Sequence, residues 1–186
     1  MKIAVYCGAS LGAHPSYEES AKQLGRFLAN RGHTLVYGGG KVGLMGVLAD
    51  AVLENGGEVI GIIPTFLVER ELSHPNVTHL EEVATMSERK NRMIELAECY
   101  IALPGGPGTL EEITEVISWA RIGQNNHPSI ILNVNGYYDL LEQFFDQMVE
   151  TQFLDTAGRK AVLFTSELEE LDTFIQNYNG MAVRKY

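Results

Sequence analysis

The sequence predicts an α/β protein: a doubly wound, Rossmann-like, mostly parallel sheet with helices on both faces. Three observations carry this. Short β-branched runs alternate with longer stretches of helical periodicity, the connections between them are short, and glycine-rich turns follow the strands. Parallel neighbours need a crossover, and each crossover helix must pack back onto a sheet face, so this alternation leaves few other topologies.

Each element has its own signal. Residues 3–6 (IAVY) form a continuous apolar run and read as a buried strand, as do 35–37 (LVY), 59–63 (VIGII), 100–103 (YIAL), 130–134 (IILNV) and 162–165 (VLFT). Between them, amphipathic periodicity places helices at 16–30, 43–55, 86–98, 108–121, 138–150 and 167–177. Thr85 and Glu88 have capping-box spacing and start the third of these. Residues 77–83 (VTHLEEV) give a weaker strand signal, and 64–79 (PTFLVERELSHPNVTH) is the one long irregular connection.

The chain has 186 residues, 45% of them hydrophobic, which suffices for a sizeable core; one domain spanning residues 1–186 is expected. A net charge of -10 without clustered Lys and Arg disfavours a nucleic-acid partner. Cys7 and Cys99 lack metal-ligand or CxxC spacing and read as reduced core residues, so neither metal nor disulfide is expected. The opening MKIAVYCGAS enters a strand at once, and no segment reaches the ~18 apolar residues of a membrane span, so the expectation is a cytoplasmic protein without a membrane partner.

Ligands of open parallel sheets gather beyond the carboxyl ends of the strands, and here those ends carry CGAS, GGGKVGLMG, GIIPT and LPGGPGT. Gly38, Gly40 and Gly43 satisfy GxGxxG between a strand and a helix. The acidic residue expected at the end of the next strand is missing, however, and Val42 stands where a P-loop needs Ser or Thr. A dinucleotide site and a tight turn with close helix packing both fit. In the PGGPGT turn, Gly105, Gly106 and Gly108 permit positive φ and close approach to a ligand, and Pro107 pre-sets φ. Thr109 then opens a helix whose unpaired N–H groups and dipole favour an anion such as phosphate.

Glu111 and Glu112 follow in that helix's first turn, where glutamate complements the dipole whatever else it does. Glu112, Glu115 and Trp119 are spaced i, i+3 and i+7 and share a face. Arg89, Lys90 and Arg92 crowd the early turns of the helix at 86–98, where each opposes the dipole by roughly 0.3–1 kcal/mol. An anionic ligand or facing carboxylates are expected to hold them there; a solvated charged face is the competing reading.

PGGPGTLEE and SERKNRM, with CGAS, VYGGGKVGLMG, GIIP and LNVNGYYDLL, resemble the LOG (lonely guy) family of phosphoribohydrolases, which release cytokinin bases from their nucleoside 5'-monophosphates. The resemblance covers at least residues 3–153. Its two diagnostic patterns, PGGxGTxxE and an RK pair before a Met-containing helix, stand in the family's order. It implies that Glu112 and Arg89 are catalytic and that Lys90 joins the substrate-binding set. The loop from Gly105 through Gly106, Pro107, Gly108, Thr109 and Leu110 to Glu111 would hold phosphate and ribose. Glu71, in the long loop, and Ser118, where the family often has Thr, complete the implied binding set. A homodimer and AMP-type nucleotide binding without a cofactor are also implied. Members have carried the label lysine decarboxylase, but this chain has no recognisable pyridoxal-binding lysine context. It departs from the pattern at Ser87, where plant-like members have His, and at Glu98 and Cys99, which replace Asp and Ala.

The expected reaction is hydrolysis of the N-glycosidic bond of an adenosine 5'-monophosphate, plain or N6-modified, to free base and ribose 5-phosphate. Positive charge develops on the ribose as the base leaves with the bonding electrons, so a carboxylate and a cation suit it, and a held phosphate supplies remote binding energy. Two alternatives stand beside it: a non-catalytic nucleotide carrier using the same loop, and a nicotinamide-dependent oxidoreductase resting on residues 38–43 alone.

Overall fold

A computed structural model describes residues 1–70 and 72–183. Its strands are β1 (Lys2–Tyr6), β2 (Thr34–Tyr37), β3 (Val59–Pro64), β4 (His79–Val83), β5 (Cys99–Ala102), β6 (Ser129–Leu132) and β7 (Val162–Thr165). All pair in parallel, in the spatial order β4-β3-β2-β1-β5-β6-β7. The helices are α1 (Pro15–Asn30), α2 (Gly43–Glu54), α3 (Thr65–Val68), α4 (Met86–Leu96), α5 (Pro107–Arg121), α6 (Asp139–Glu150), α7 (Thr156–Lys160) and α8 (Glu169–Asn177).

The six apolar strands and six amphipathic helices lie where periodicity places them, with ends moved by no more than two residues. The weaker strand shortens to β4 at the sheet edge, where its residues are half-buried or exposed. The irregular stretch 64–79 contains α3, and its Ser73 bridges antiparallel to Gly40.

Strand pleating distributes each central strand between two cores. Along β1, Ile3 and Val5 enter the core beneath α1 and α2, while Ala4 and Tyr6 enter the one beneath α4, α5 and α6. At Gly25 the first pair of helices is in close contact: a Cβ there would lie 2.6 Å from Ala51 Cβ and 3.0 Å from the Leu48 carbonyl oxygen.

The chain works outward from β1 to the edge at β4, and α4 then carries it back to β5 on the other side of β1. Strand order therefore reverses between β1 and β5, and a crevice opens beyond their carboxyl ends. The two exit loops are tied at its floor, where Gly8 N–H donates to the Pro104 carbonyl at 3.1 Å.

Candidate active site

The crevice is a cleft of about 360 Å3, within the range of roughly 300–1,000 Å3 typical of small-molecule sites. Three segments supply most of its wall: Cys7, Gly8 and Ala9 after β1; Met86, Ser87, Arg89 and Lys90 of α4; and the start of α5 from Gly106 to Glu112, with Met45 of α2 closing one side. A smaller hollow of about 200 Å3 adjoins it across Gly8 and Gly106, walled by Leu11, Tyr17, Leu44 and Tyr137 among others. A third hollow, between α1 and α2 around Lys22 and Asp50, lies away from all the glycine turns and gathers no such set.

Helix α5 begins without a side-chain cap: Gly106 is the N-cap and Pro107 takes the first helical position, where an N–H is dispensable. The N–H groups of Gly106, Gly108 and Thr109 make no hydrogen bond among the described residues, so donors and dipole face the cleft together. None of Gly105, Gly106 and Gly108 has positive φ, which corrects one expectation; what their missing side chains provide is proximity. A Cβ on Gly106 or Gly108 would occupy open space, whereas one on Gly105 would overlap Thr109 Oγ1 and lie 2.9 Å from Gly8 N. Thr109 is accordingly buried.

On the facing side the Thr85 half of the capping box forms, with the return bond from Glu88 shifted one residue upstream of the N-cap. Thr85 Oγ1 accepts from Glu88 N–H at 3.1 Å, and the Glu88 carboxylate accepts from Ala84 N–H at 2.9 Å. The basic residues of α4 each meet carboxylates. Arg89 Nη2 donates to Glu112 Oε1 at 3.3 Å, and Lys90 Nζ lies 2.7 Å from Glu111 Oε1 and 3.1 Å from Glu115 Oε2. Arg92 Nε reaches Glu81 of β4 at 2.8 Å. Facing carboxylates thus offset the unfavourable dipole. Glu112 and Glu115 do share the face turned to α4, whereas Trp119 packs against the core beneath it.

The second glycine turn contributes indirectly. A Cβ on Gly38 would overlap the Arg89 guanidinium, so this glycine seats the arginine. Gly43, at φ 62°, starts α2 hard against the backbone of Ala9 and Ser10. The long loop lies along the same turn, with Lys41 N–H donating to Leu72 O and His74 N–H to Gly39 O, each at 2.9 Å. Glu71, in that loop, lies outside the described residues.

The Arg89 and Glu112 side chains are 11% and 10% exposed. Burial pushes the Glu112 carboxyl above its ordinary value; the Arg89 charge opposes that shift, and Glu111 adds to it. Lys90 is held above its ordinary value by its bond to Glu111 first, with desolvation opposing. Burial likewise pushes the Cys7 thiol far up, with Glu112 reinforcing the effect, so the cleft cysteine is a neutral thiol rather than a nucleophile. Arg89 Nε is buried and has no partner among the described residues.

Of the residues read from sequence, the cleft unites Arg89, Lys90, Gly106, Gly108, Thr109, Glu111 and Glu112, with Gly105 and Pro107 framing the turn behind them. Leu110 points outward and is 40% exposed; Ser118 is exposed, nearly two turns past Glu112. Among the departures, Ser87 lines the cleft. Glu98 accepts from Lys2 N–H at the opposite edge of the sheet, and Cys99 is buried at the amino end of β5. Sequence reading missed Cys7, Ala9, Met45 and Met86 as wall residues. CGAS at a strand end was a signal for the first two, and Met45 falls within the GGGKVGLMG turn; Met86 stands just before the SERKNRM segment.

A family model described as "Possible lysine decarboxylase" matches residues 45–174. The chain is 44% identical over 177 residues to the cytokinin riboside 5'-monophosphate phosphoribohydrolase LOG7 of Arabidopsis thaliana, covering 95% of this chain and 82% of that one. It is 42% identical to the corresponding LOG enzyme of Oryza sativa subsp. japonica, covering 95% and 73%. Among solved structures it resembles the molybdenum cofactor binding protein from Rippkaea orientalis, with a TM-score of 0.71 and 25% identity over 94% of each chain. It also shares its fold with the Moco carrier protein from Chlamydomonas reinhardtii, with a TM-score of 0.72 and 20% identity over 94% and 97%. A decarboxylase would need a lysine able to form a Schiff base with pyridoxal phosphate. Lys90, which lines the cleft, does not fit: two carboxylates hold it protonated, the reverse of an activated amine.

Proposed function

The chain belongs to the LOG family of cytokinin riboside 5'-monophosphate phosphoribohydrolases, and on that premise we propose that it hydrolyses the N-glycosidic bond of adenosine 5'-monophosphates, plain or N6-modified. The products are free base and ribose 5-phosphate. The observation that carries this reading is one juxtaposition: a buried Arg89–Glu112 pair beside the uncapped N-terminus of α5.

The two halves of the site take different parts of the substrate. The free N–H groups of Gly106, Gly108 and Thr109 hold the phosphate, which fixes the ribose over Glu112, one turn further along the helix. Glu112 acts as carboxylate: it stabilises the positive charge that develops at C1' and orients the attacking water. Arg89 positions the nucleotide and steadies the electron pair on the departing base; its guanidinium is too basic to be an effective proton donor. Lys90 and Glu111 border the nucleotide, and Ser87 is the one departure that lines the cleft, which supports a role for it in base preference.

Residues 1–186 act as one nucleotide-binding domain, as a homodimer in the cytoplasm. The exposed Leu140 and Phe144, one turn apart on α6, favour a covered face, and the molecular mass in solution tests it. The deciding experiment offers AMP, N6-isopentenyl-AMP and their unphosphorylated nucleosides to the purified protein and quantifies free base. Release from the nucleotides well above release from the nucleosides is expected; none from any of them would sink the reading. Nucleotide binding without release would instead favour a carrier, as the Chlamydomonas reinhardtii Moco carrier protein of the same fold is named.

A further inference from the structure

The segment after β6 carries NGYYDLL, whose tyrosines have no part in the mechanism above. Both reach back to the loop that leaves β5. Tyr138 Oη, buried, donates to Leu103 O at 2.8 Å; Tyr137 Oη, on a half-exposed ring, donates to Gly105 O at 2.6 Å. Their own backbone is fixed, because Asn133 Oδ1 accepts from Tyr138 N–H at 2.7 Å while Asn133 Nδ2 donates to Asp139 at 2.7 Å. The Tyr137 ring stands edge-on to Tyr17 and Tyr138, with centroids 5.6 and 4.9 Å away.

The two bonds act on different peptides. The Leu103 carbonyl belongs to a peptide whose nitrogen is that of Pro104 and has no hydrogen to direct. The Gly105 carbonyl shares its peptide with Gly106 N–H, and in a planar trans peptide the two point in opposite directions. Tyr137 walls the smaller hollow, on the far side of Gly106 from Arg89 and Glu112. Drawing Gly105 O toward that hollow turns Gly106 N–H into the cleft. A Gly–Gly peptide has little else to hold its orientation.

We propose that Tyr137 is a positioning residue whose hydroxyl sets the Gly105–Gly106 peptide so that Gly106 N–H serves the substrate's phosphate. Tyr137 thereby determines how strongly the site prefers phosphorylated ligands. The inference rests on placing the phosphate at the start of α5, as in the proposed function.

The test compares the parent with Tyr137→Phe and Tyr138→Phe in three readouts: calorimetric affinity for ribose 5-phosphate, kcat and KM on AMP or N6-isopentenyl-AMP, and melting temperature. Tyr137→Phe should bind ribose 5-phosphate about tenfold more weakly and raise KM more than it lowers kcat, with the melting temperature held. Tyr138→Phe should lower the melting temperature and leave ribose 5-phosphate affinity as in the parent. Unchanged affinity in Tyr137→Phe, the same pattern in both variants, or a parent that does not bind ribose 5-phosphate would each overturn the proposal. Selective weakening by Tyr137→Phe in a protein that hydrolyses no nucleotide would uphold it while overturning the hydrolase reading.

Discussion

On one face of the sheet α1 and α2 meet hydrocarbon to hydrocarbon; on the other, at the cleft end, α4 and α5 meet charge to charge. The first contact is so close that Gly25 has no room for a methyl against Ala51. The second is held by Arg89, Lys90, Glu111, Glu112 and Glu115, two of them almost fully buried. Buried charge is a poor way to stabilise a fold, because desolvation cancels much of the attraction. The difference separates two tasks: one face supplies cohesion, and the other gives up cohesion to place a carboxylate and a cation beside a phosphate cradle.

The sharpest way to break this division is Glu112→Gln, which should lower kcat by ~10²–10⁴-fold while nucleotide binding and the circular dichroism spectrum persist. Parent-like turnover would remove Glu112 from the mechanism. On the opposite face, Gly25→Val should cost about 1–3 kcal/mol in urea denaturation, with kcat per folded molecule unchanged. Converting the charged face to the chemistry of the other, by Arg89→Met with Glu112→Leu, should abolish turnover yet leave stability equal or raised by up to ~4 kcal/mol. A large loss of stability would mean that the pair is structural.

The pH dependence has a definite sign. Burial raises the folded-state value of Glu112 above its unfolded value, so the folded protein keeps this proton to higher pH. The contribution of Glu112 to stability is greatest below the unfolded value and falls as pH rises through the window between the two. Activity needs the carboxylate and so rises as pH passes the raised folded-state value. Removing the Arg89 charge takes away the larger of the two charges that oppose desolvation, Lys90 being the other, and in Arg89→Met the Glu112 carboxyl, followed by carbon NMR, should titrate at higher pH than in the parent. The smallest effect is expected at Glu111, which is 64% exposed: Glu111→Gln should change stability by no more than ~0.2–1 kcal/mol.

What was legible in the sequence follows the same division. Elements that bury continuous hydrocarbon, such as β1 or α2, declare themselves through periodicity. Short pieces do not: α3 and α7 are too brief to show a helical period, and α7 depends on a cap from Asp155 to Gly158 N–H. Edge strand β4 showed only as the weaker signal at 77–83, because its glutamates interrupt the apolar run, and one of them serves Arg92. In the site, adjacent glutamates look equivalent in a string, yet Glu112 is buried and Glu111 exposed. Helical phase held that answer, since Glu112 falls four residues before buried Val116 whereas Glu111 falls four before half-buried Glu115. Contacts across the fold left no such trace: neither the seat of Arg89 on Gly38 nor the Tyr137 bond to Gly105 has a local signature.

The pairing of β1 with β5 also bears on how the protein comes into being. Ile3 registers with Cys99 and Tyr6 with Ala102, so the centre of the sheet closes only after more than half the chain has been synthesised. Until then β1 has an open edge, a template for wrong partners as much as for the right one. The cleft is built across that late seam, from residues roughly a hundred positions apart, and contacts of such separation form slowly. A nascent or truncated chain can therefore fold its first helices and still lack any trace of the site, which makes recovery of activity a late and stringent reporter of refolding.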